Sequence, residues 1–209
     1  LLTDDFDVPP EVITIARPGT DRGVPATGSS DGILQLVSVG SVVPRKGFDV
    51  LVEALASLSS LPWRLSIAGD LTRDHATSAH LEAAIAQHKL VGRVELLGAV
   101  PADRLSALYR GADLFVLASR FEGYGMAYAE AMAHGLPIVG TTAGAIPDTV
   151  PPSAGILVEP NDVPALSRTL RMLIENRAER EWLAAGSREA GQSLPTWAAS
   201  AKLIAAAIE

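Results

Sequence analysis

The stretch Ile33-Leu34-Gln35-Leu36-Val37-Ser38-Val39-Gly40-Ser41-Val42-Val43-Pro44-Arg45-Lys46-Gly47-Phe48-Asp49 decides how the rest of the chain is read. Its first seven residues are β-prone and almost continuously apolar, the pattern of a strand covered on both faces. Residues 47–59 then place Phe48, Leu51, Leu55 and Leu58 at helical spacing. The same alternation runs on, with strands expected at 63–68, 94–97 and 114–117 and helices at 75–90, 103–110 and 126–134, the last closed by Gly135. Ile138-Val139 and Ile156-Leu157-Val158 are brief apolar runs bounded by Gly or Pro. Amphipathic helices are expected at 162–176 and 177–191, and a last one at 196–208 with Pro195 at its start. Strands alternating with helices build βαβ units, so the fold class is α/β: a doubly wound parallel sheet, Rossmann-like, with extra C-terminal helices. Ligands of such sheets lie outside the carboxyl ends of the strands, which directs attention to the strand-to-helix loops.

Upstream of the body, residues 1–30 do not read as a domain. Val12-Ile13-Thr14-Ile15 has the look of a short strand stopped by Pro18-Gly19, and residues 21–31 have the Gly, Pro, Thr, Ser and Asp composition of a surface linker. Leu1-Leu2-Thr3-Asp4-Asp5 has neither a basic region nor an apolar stretch, so no secretory leader is expected. With no initiator Met, the chain reads as starting inside a longer one. The expected division is 1–30, then a ligand-binding domain at 31–191, then a C-terminal helix within 192–209.

Composition removes several functions. The 209 residues give one domain, or one with trimmings, at about 150 residues per domain. The 48% hydrophobic content is that of a globular core, and no apolar run approaches the roughly 18 residues of a membrane span. With 17 basic against 24 acidic residues, the net charge of -7 argues against a nucleic-acid binder. An aromatic share of 5% leaves no stacking platform for single strands. No cysteine is present, so disulfides and thiolate chemistry are absent, which fits a cytoplasmic setting.

Two loops carry candidate chemistry. In the first, Arg45 and Lys46 stand at a strand's carboxyl end beside a helix N-terminus, where free amides and the helix dipole favour a diphosphate; the alternative is a pair of solvated loop charges. In the second, Ser119-Arg120-Phe121-Glu122-Gly123-Tyr124-Gly125 precedes the helix starting near Met126. Its glycines allow close backbone approach. Glu130 would sit about 7 Å along that helix, at roughly 1.5 Å per residue, so both acids are expected to face one crevice. Glu130 lies among Ala129, Ala131, Met132 and Ala133, so its charge needs donors. Sugar hydroxyls would serve; the alternative is that Glu130 pairs with an Arg while Glu122 caps the helix.

Other motifs fail on context. Gly28-Ser29-Ser30-Asp31-Gly32 matches a nucleophile elbow but precedes a strand instead of following one. Gly123-Tyr124-Gly125 lacks the third glycine of a dinucleotide fingerprint, and there is no P-loop. His75, His80, His88 and His134 have no zinc-ligand spacing, so no metal site is expected.

Taken together, the loops resemble the C-terminal half of retaining GT-B glycosyltransferases of the large group 1 family (glycosyltransferase family 4). The resemblance is carried by residues 37–49, Ser66-Ile67-Ala68-Gly69-Asp70, residues 119–139 and Thr142-Ala143-Gly144-Ala145-Ile146-Pro147-Asp148, and covers about residues 10–176. It implies one half of a GT-B fold that binds a nucleotide-diphosphate sugar and transfers a hexose-type sugar without metal or other cofactor. On this resemblance Lys46, with Arg45, holds the diphosphate, Glu122 lies by the donor sugar and Glu130 accepts the ribose hydroxyls. Backbone of Gly123, Tyr124, Gly125 and Met126 meets sugar and phosphate, Gly40 and Ser41 border the diphosphate, and the base lies near Val100. Many relatives carry Arg where this chain has Ser41, and Arg45 is the expected replacement. The family's N-terminal half supplies the acceptor site, with the acceptor a sugar or lipid-linked glycan and the full protein peripheral at the inner membrane face. The rival readings are a non-catalytic nucleotide-binding module and a GT-B nucleotide-sugar epimerase.

Overall fold

The computed structural model describes residues 2–208; Leu1 and Glu209, the outer ends of the expected segments 1–30 and 192–209, lie outside the described residues. Six strands form one sheet: β1 (Leu34–Val39), β2 (Trp63–Ala68), β3 (Val94–Gly98), β4 (Leu114–Val116), β5 (Ile138–Thr141) and β6 (Gly155–Val158). Their spatial order is β3-β2-β1-β4-β5-β6 and every pairing is parallel. The chain leaves β1 toward one edge, then returns to start again at β4. Between these two strands lies the topological switch point, where an open α/β sheet leaves a crevice.

The helices are α1 (Leu2–Phe6), α2 (Phe48–Ala56), α3 (His75–Gln87), α4 (Ala102–Gly111), α5 (Met126–Ala133), α6 (Ile146–Thr149), α7 (Val163–Glu175), α8 (Arg177–Ser193) and α9 (Trp197–Ala206). Helix α2 packs with α3 and α7, and α5 with α8, so the sheet is sandwiched. Local chemistry sets the ends. Asp74 caps α3 through the Thr77 amide (2.9 Å) and Asp162 caps α7 through the Ala165 amide (2.8 Å). Asn176 both ends α7 and caps α8. Helix α5 stops in a Schellman turn: the Gly135 amide donates to the Met132 carbonyl and the Leu136 amide to the Ala131 carbonyl, with Gly135 at φ 71°. Strands β4 and β5 are buried throughout and β1 at four of its six residues, and the core gathers Leu36, Phe115, Ile138, Leu51, Met132 and Leu170. Among the described residues no helix is long and apolar enough to cross a membrane.

Three local expectations change. Val12–Ile15 is not a strand: a 3₁₀ turn spans Pro10–Val12, because prolines remove ladder donors and no sheet edge lies alongside. Residues 146–149 form α6 where the sequence showed no helix. Residues 21–31, expected as a surface linker, are stitched down as a strap. The Thr20 amide donates to the Pro195 carbonyl, Ala26 to His134, Thr27 to Arg110, and Ser29 to the Asp113 carboxylate. Arg22 donates to the Gly191 carbonyl at 2.6 Å. No side chain of α9 is buried except Ser200, whose hydroxyl donates to the Arg17 carbonyl.

Candidate active site

The loops leaving β1 and β4 meet at the switch point. Pro44–Lys46 form a 3₁₀ turn ended by Gly47 in the left-handed region (φ 64°). A Cβ on Gly47 would lie 2.0 Å from the Ala118 carbonyl oxygen, so only glycine lets the two loops touch. Across that contact Lys46 Nζ donates to Glu122 Oε1 at 2.6 Å, and Arg45 Nη1 to Glu122 Oε2 at 3.3 Å. The Ser119 hydroxyl adds a third bond, to Glu122 Oε1, at 2.7 Å. The Lys46 and Glu122 side chains are only 10% and 8% exposed, whereas Arg45 is 53% exposed. The corner therefore holds a nearly buried ion pair with a second cation at its mouth. The Lys46 stem lies against Gly40, where a Cβ would come within 3.0 Å of it. Ser41, half-buried beside Gly69, brings no charge.

The glycine-rich turn follows directly. Gly125 (φ 90°) precedes α5 and supplies no side-chain cap, and Gly123 faces open space. Among the described residues, the amides of Gly123, Tyr124, Gly125 and Met126 donate to no protein acceptor. They form a row of unpaired donors at a helix N-terminus, next to two cations. The turn is fixed from behind. The Tyr128 hydroxyl donates to the Leu117 carbonyl (2.7 Å), Thr149 to the Tyr124 carbonyl (2.6 Å), and the Ala145 amide to the Glu122 carbonyl (3.0 Å). Gly144 (φ 59°) backs Glu122 so closely that a Cβ there would sit 2.2 Å from its carbonyl oxygen.

Glu130 occupies a different setting. It lines a cavity of about 380 Å³ closed by α4, α5, Trp197 and residues 19–24 of the strap. The buried Tyr109 hydroxyl donates to Glu130 Oε2 at 3.0 Å. Burial pushes the Glu130 carboxyl above the ordinary carboxylate range; the Tyr109 bond and nearby His134 oppose that shift, and Asp21 adds to it. The Tyr109 hydroxyl is pushed well above its usual value, first by burial and then by Glu130. Tyr109 is held between Phe115 and His134, the latter stacked at 5.0 Å with its Nδ1 2.6 Å from the Val24 carbonyl oxygen. Among the described residues, the hydroxyl of buried Thr20, in the same cavity wall, has no hydrogen-bond partner.

The structure thus joins Arg45, Lys46 and Glu122 and sets Gly40, Ser41 and residues 123–126 beside them. Glu130 shares no hydrogen-bond partner with Glu122; Met126, in the first turn of α5, lines its cavity. Val100 sits half-buried in the loop between β3 and α4, directly before the helix that supplies Tyr109. Neither alternative pairing holds: Glu130 bonds a tyrosine and not an arginine, and Glu122 caps no helix because both its oxygens are taken by the corner. Sequence reasoning missed Ser119, Tyr109 and Arg120. Arg120 binds Asp49 with two parallel bonds of 3.0 and 2.7 Å across the same loops.

Comparison with known proteins shows what the chain as a whole is similar to. Residues 24–190 match the family described as glycosyl transferases group 1. The chain is 30% identical over 208 residues to the GDP-mannose-dependent monoacylated alpha-(1-6)-phosphatidylinositol monomannoside mannosyltransferase of Corynebacterium glutamicum, covering 92% of this chain and 53% of that one. Sucrose-phosphate synthase from Thermosynechococcus elongatus superposes with a TM-score of 0.81 at 27% identity, over 91% of this chain and 50% of the other. The C-terminal domain of a group 1 family glycosyl transferase (LpcC) from Francisella tularensis gives 0.70 at 24% identity, over 86% and 95%. The chain spans about half the length of the curated relatives it matches. With the family matched over most of its length and the fold shared with these structures, the chain belongs to the group 1 glycosyl transferases.

Proposed function

We propose that this chain is the donor-binding half of a retaining glycosyltransferase that takes a hexose-type sugar from a nucleotide-diphosphate sugar. The observation that carries the reading is the buried Lys46–Glu122 pair at the switch point, beside unpaired amides and the second cation Arg45. A leaving diphosphate gains charge as the sugar departs, and preorganised cations and amides stabilise that charge without reorganising. Lys46, Arg45, the backbone of Gly40 and Ser41, and the amides of residues 123–126 supply that setting, so no resident metal or cofactor is part of the proposal. Arg45 stands in for the cation that Ser41 does not provide. Glu122, held by Ser119 when cations turn to the diphosphate, is placed to steady sugar hydroxyls. Glu130 has one oxygen bonded to Tyr109 and the other available to ribose hydroxyls, and the Val100 loop is placed for the base.

The acceptor half belongs to a further domain, a reading supported by the half-length match to relatives and by the near-complete cover of an isolated C-terminal domain. A sugar or lipid-linked acceptor is supported by the relative named for a phosphatidylinositol monomannoside. The full protein would then work in the cytoplasm, peripheral to the inner membrane face. Calorimetry with UDP, GDP and ADP tests the donor site. One of them binds, and Lys46→Ala loses about 1.5–3 kcal/mol, or roughly 10- to 150-fold in affinity. If none binds, or if the variant binds equally well, the reading fails. If Arg45→Ala leaves affinity untouched, only the stand-in role of Arg45 is lost.

A further inference from the structure

We infer that Arg120 is the positioning residue that sets the diphosphate corner, an inference that rests on the donor-site reading above. Strand β1 ends at Val39 and β4 at Val116, so no sheet ladder fixes residues 44–47 against residues 118–122. Arg120 supplies the missing register. Its Nη1 donates to the Pro44 carbonyl (2.5 Å) and to Asp49 Oδ1 (3.0 Å), and its Nη2 to Asp49 Oδ2 (2.7 Å). Nε donates to Asn161 Oδ1 (2.7 Å), and its backbone amide to the Arg45 carbonyl (2.7 Å).

One residue therefore ties both donor loops, the first turn of α2 and the turn after β6. It stands next to Ser119 and two places before Glu122, so its position is passed directly to the carboxylate that Lys46 meets. A planar guanidinium suits this work because its fork matches a carboxylate and still has donors to spare, which an ammonium cannot copy. The pairing is felt at Asp49: partial burial pushes its carboxyl up, but the Arg120 bonds and charge together with the backbone amides of Val50 and Asp49 hold it below the ordinary range. The hydrogen bonds of the Arg120 side chain go to Pro44, Asp49 and Asn161 and not to Lys46 or Glu122. Its effect on the corner is geometric.

The experiment measures, by competition calorimetry, the affinity of whichever of UDP, GDP and ADP the wild-type chain binds, and of the matching monophosphate. Their ratio isolates the terminal phosphate from everything the nucleoside contributes. Arg120→Ala lowers that ratio by about tenfold, the equivalent of losing one charge-assisted bond's geometry, and Arg120→Lys restores part of it. A merely structural role would weaken both ligands equally or lower only thermal stability, and an unchanged ratio overturns the inference. Should Arg120→Ala fail to fold, Asp49→Asn removes one half of the fork and must move the ratio in the same direction. Wild-type chain that binds no nucleoside diphosphate sinks the donor reading and this inference together; intact wild-type binding with an unchanged ratio sinks this inference alone.

Discussion

Glu122 and Glu130 stand eight residues apart in sequence and live in opposite electrostatic worlds. Glu122 has three donors drawn from two loops, two of them cations, all in place without any ligand. Glu130 has one neutral side-chain donor, an acid nearby and a cavity in front, and its carboxyl is pushed up by burial. Desolvation costs a carboxylate dearly unless donors replace the lost water. The corner has made that replacement internally, whereas on the proposed reading the Glu130 cavity leaves it to an incoming hydroxyl. The same residue type thus serves as a built-in counter-ion at one end of a motif and as a waiting acceptor at the other.

The sharpest way to break this comparison is to remove the cation from the settled side. Lys46→Met leaves Glu122 buried with only Arg45 and Ser119, and urea denaturation should show a loss of about 3 kcal/mol, the low end for splitting a buried pair. A loss indistinguishable from a surface substitution would mean that Glu122 is not held by Lys46.

A smaller effect is expected at Tyr109. Tyr109→Phe removes the one side-chain donor to Glu130 and costs about 1–3 kcal/mol. The pH response carries more information. Because the folded pKa of Glu130 is raised, the folded chain binds this proton more tightly than the unfolded one. Its contribution to stability is then favourable at low pH and is lost as pH rises through that raised value. Nucleotide binding through the ionised form runs the other way: affinity falls as pH drops through a midpoint above the ordinary glutamate range. Tyr109→Phe moves that midpoint higher still, and Glu130→Gln flattens the profile. A wild-type midpoint at the ordinary glutamate value would show that burial does not govern Glu130.

The smallest effect is expected at Glu122 itself. Glu122→Gln frees Lys46 and Arg45 from a competing carboxylate, so a free nucleoside diphosphate should bind more tightly, by up to about fivefold, or 1 kcal/mol. Weaker binding would mean that the acid helps the phosphate site and does not mask it.

How much of this was readable beforehand follows a physical divide. Four of the six strands were legible because burial on both faces leaves near-continuous apolar runs, while β5 and β6 showed only as brief apolar runs; the loops after β1 and β4 could be picked out from charge and glycine alone. The linker-like composition of residues 21–31 concealed a strap because its anchors are backbone groups of Pro195, His134 and Arg110, distant in sequence and silent in composition. Tyr109 escaped notice because it reads as one more apolar helix position until its hydroxyl finds Glu130. Arg120 looked like an ordinary loop cation, since its worth lies in oxygens from three other segments. The supposed strand at Val12–Ile15 failed for the converse reason: a β-prone run is no strand without an edge to join.

Gly144 has a consequence for how this site tolerates change. Its bare α-carbon abuts the backbone of Glu122, with the Ala145 amide already bound to that carbonyl. Even one methyl at 144 would have to evict the acid's main chain from its seat. A position with no chemistry of its own therefore sets a veto over the corner where Lys46, Arg45 and Glu122 meet, and a screen of harmless-looking loop substitutions should find inactivation there first.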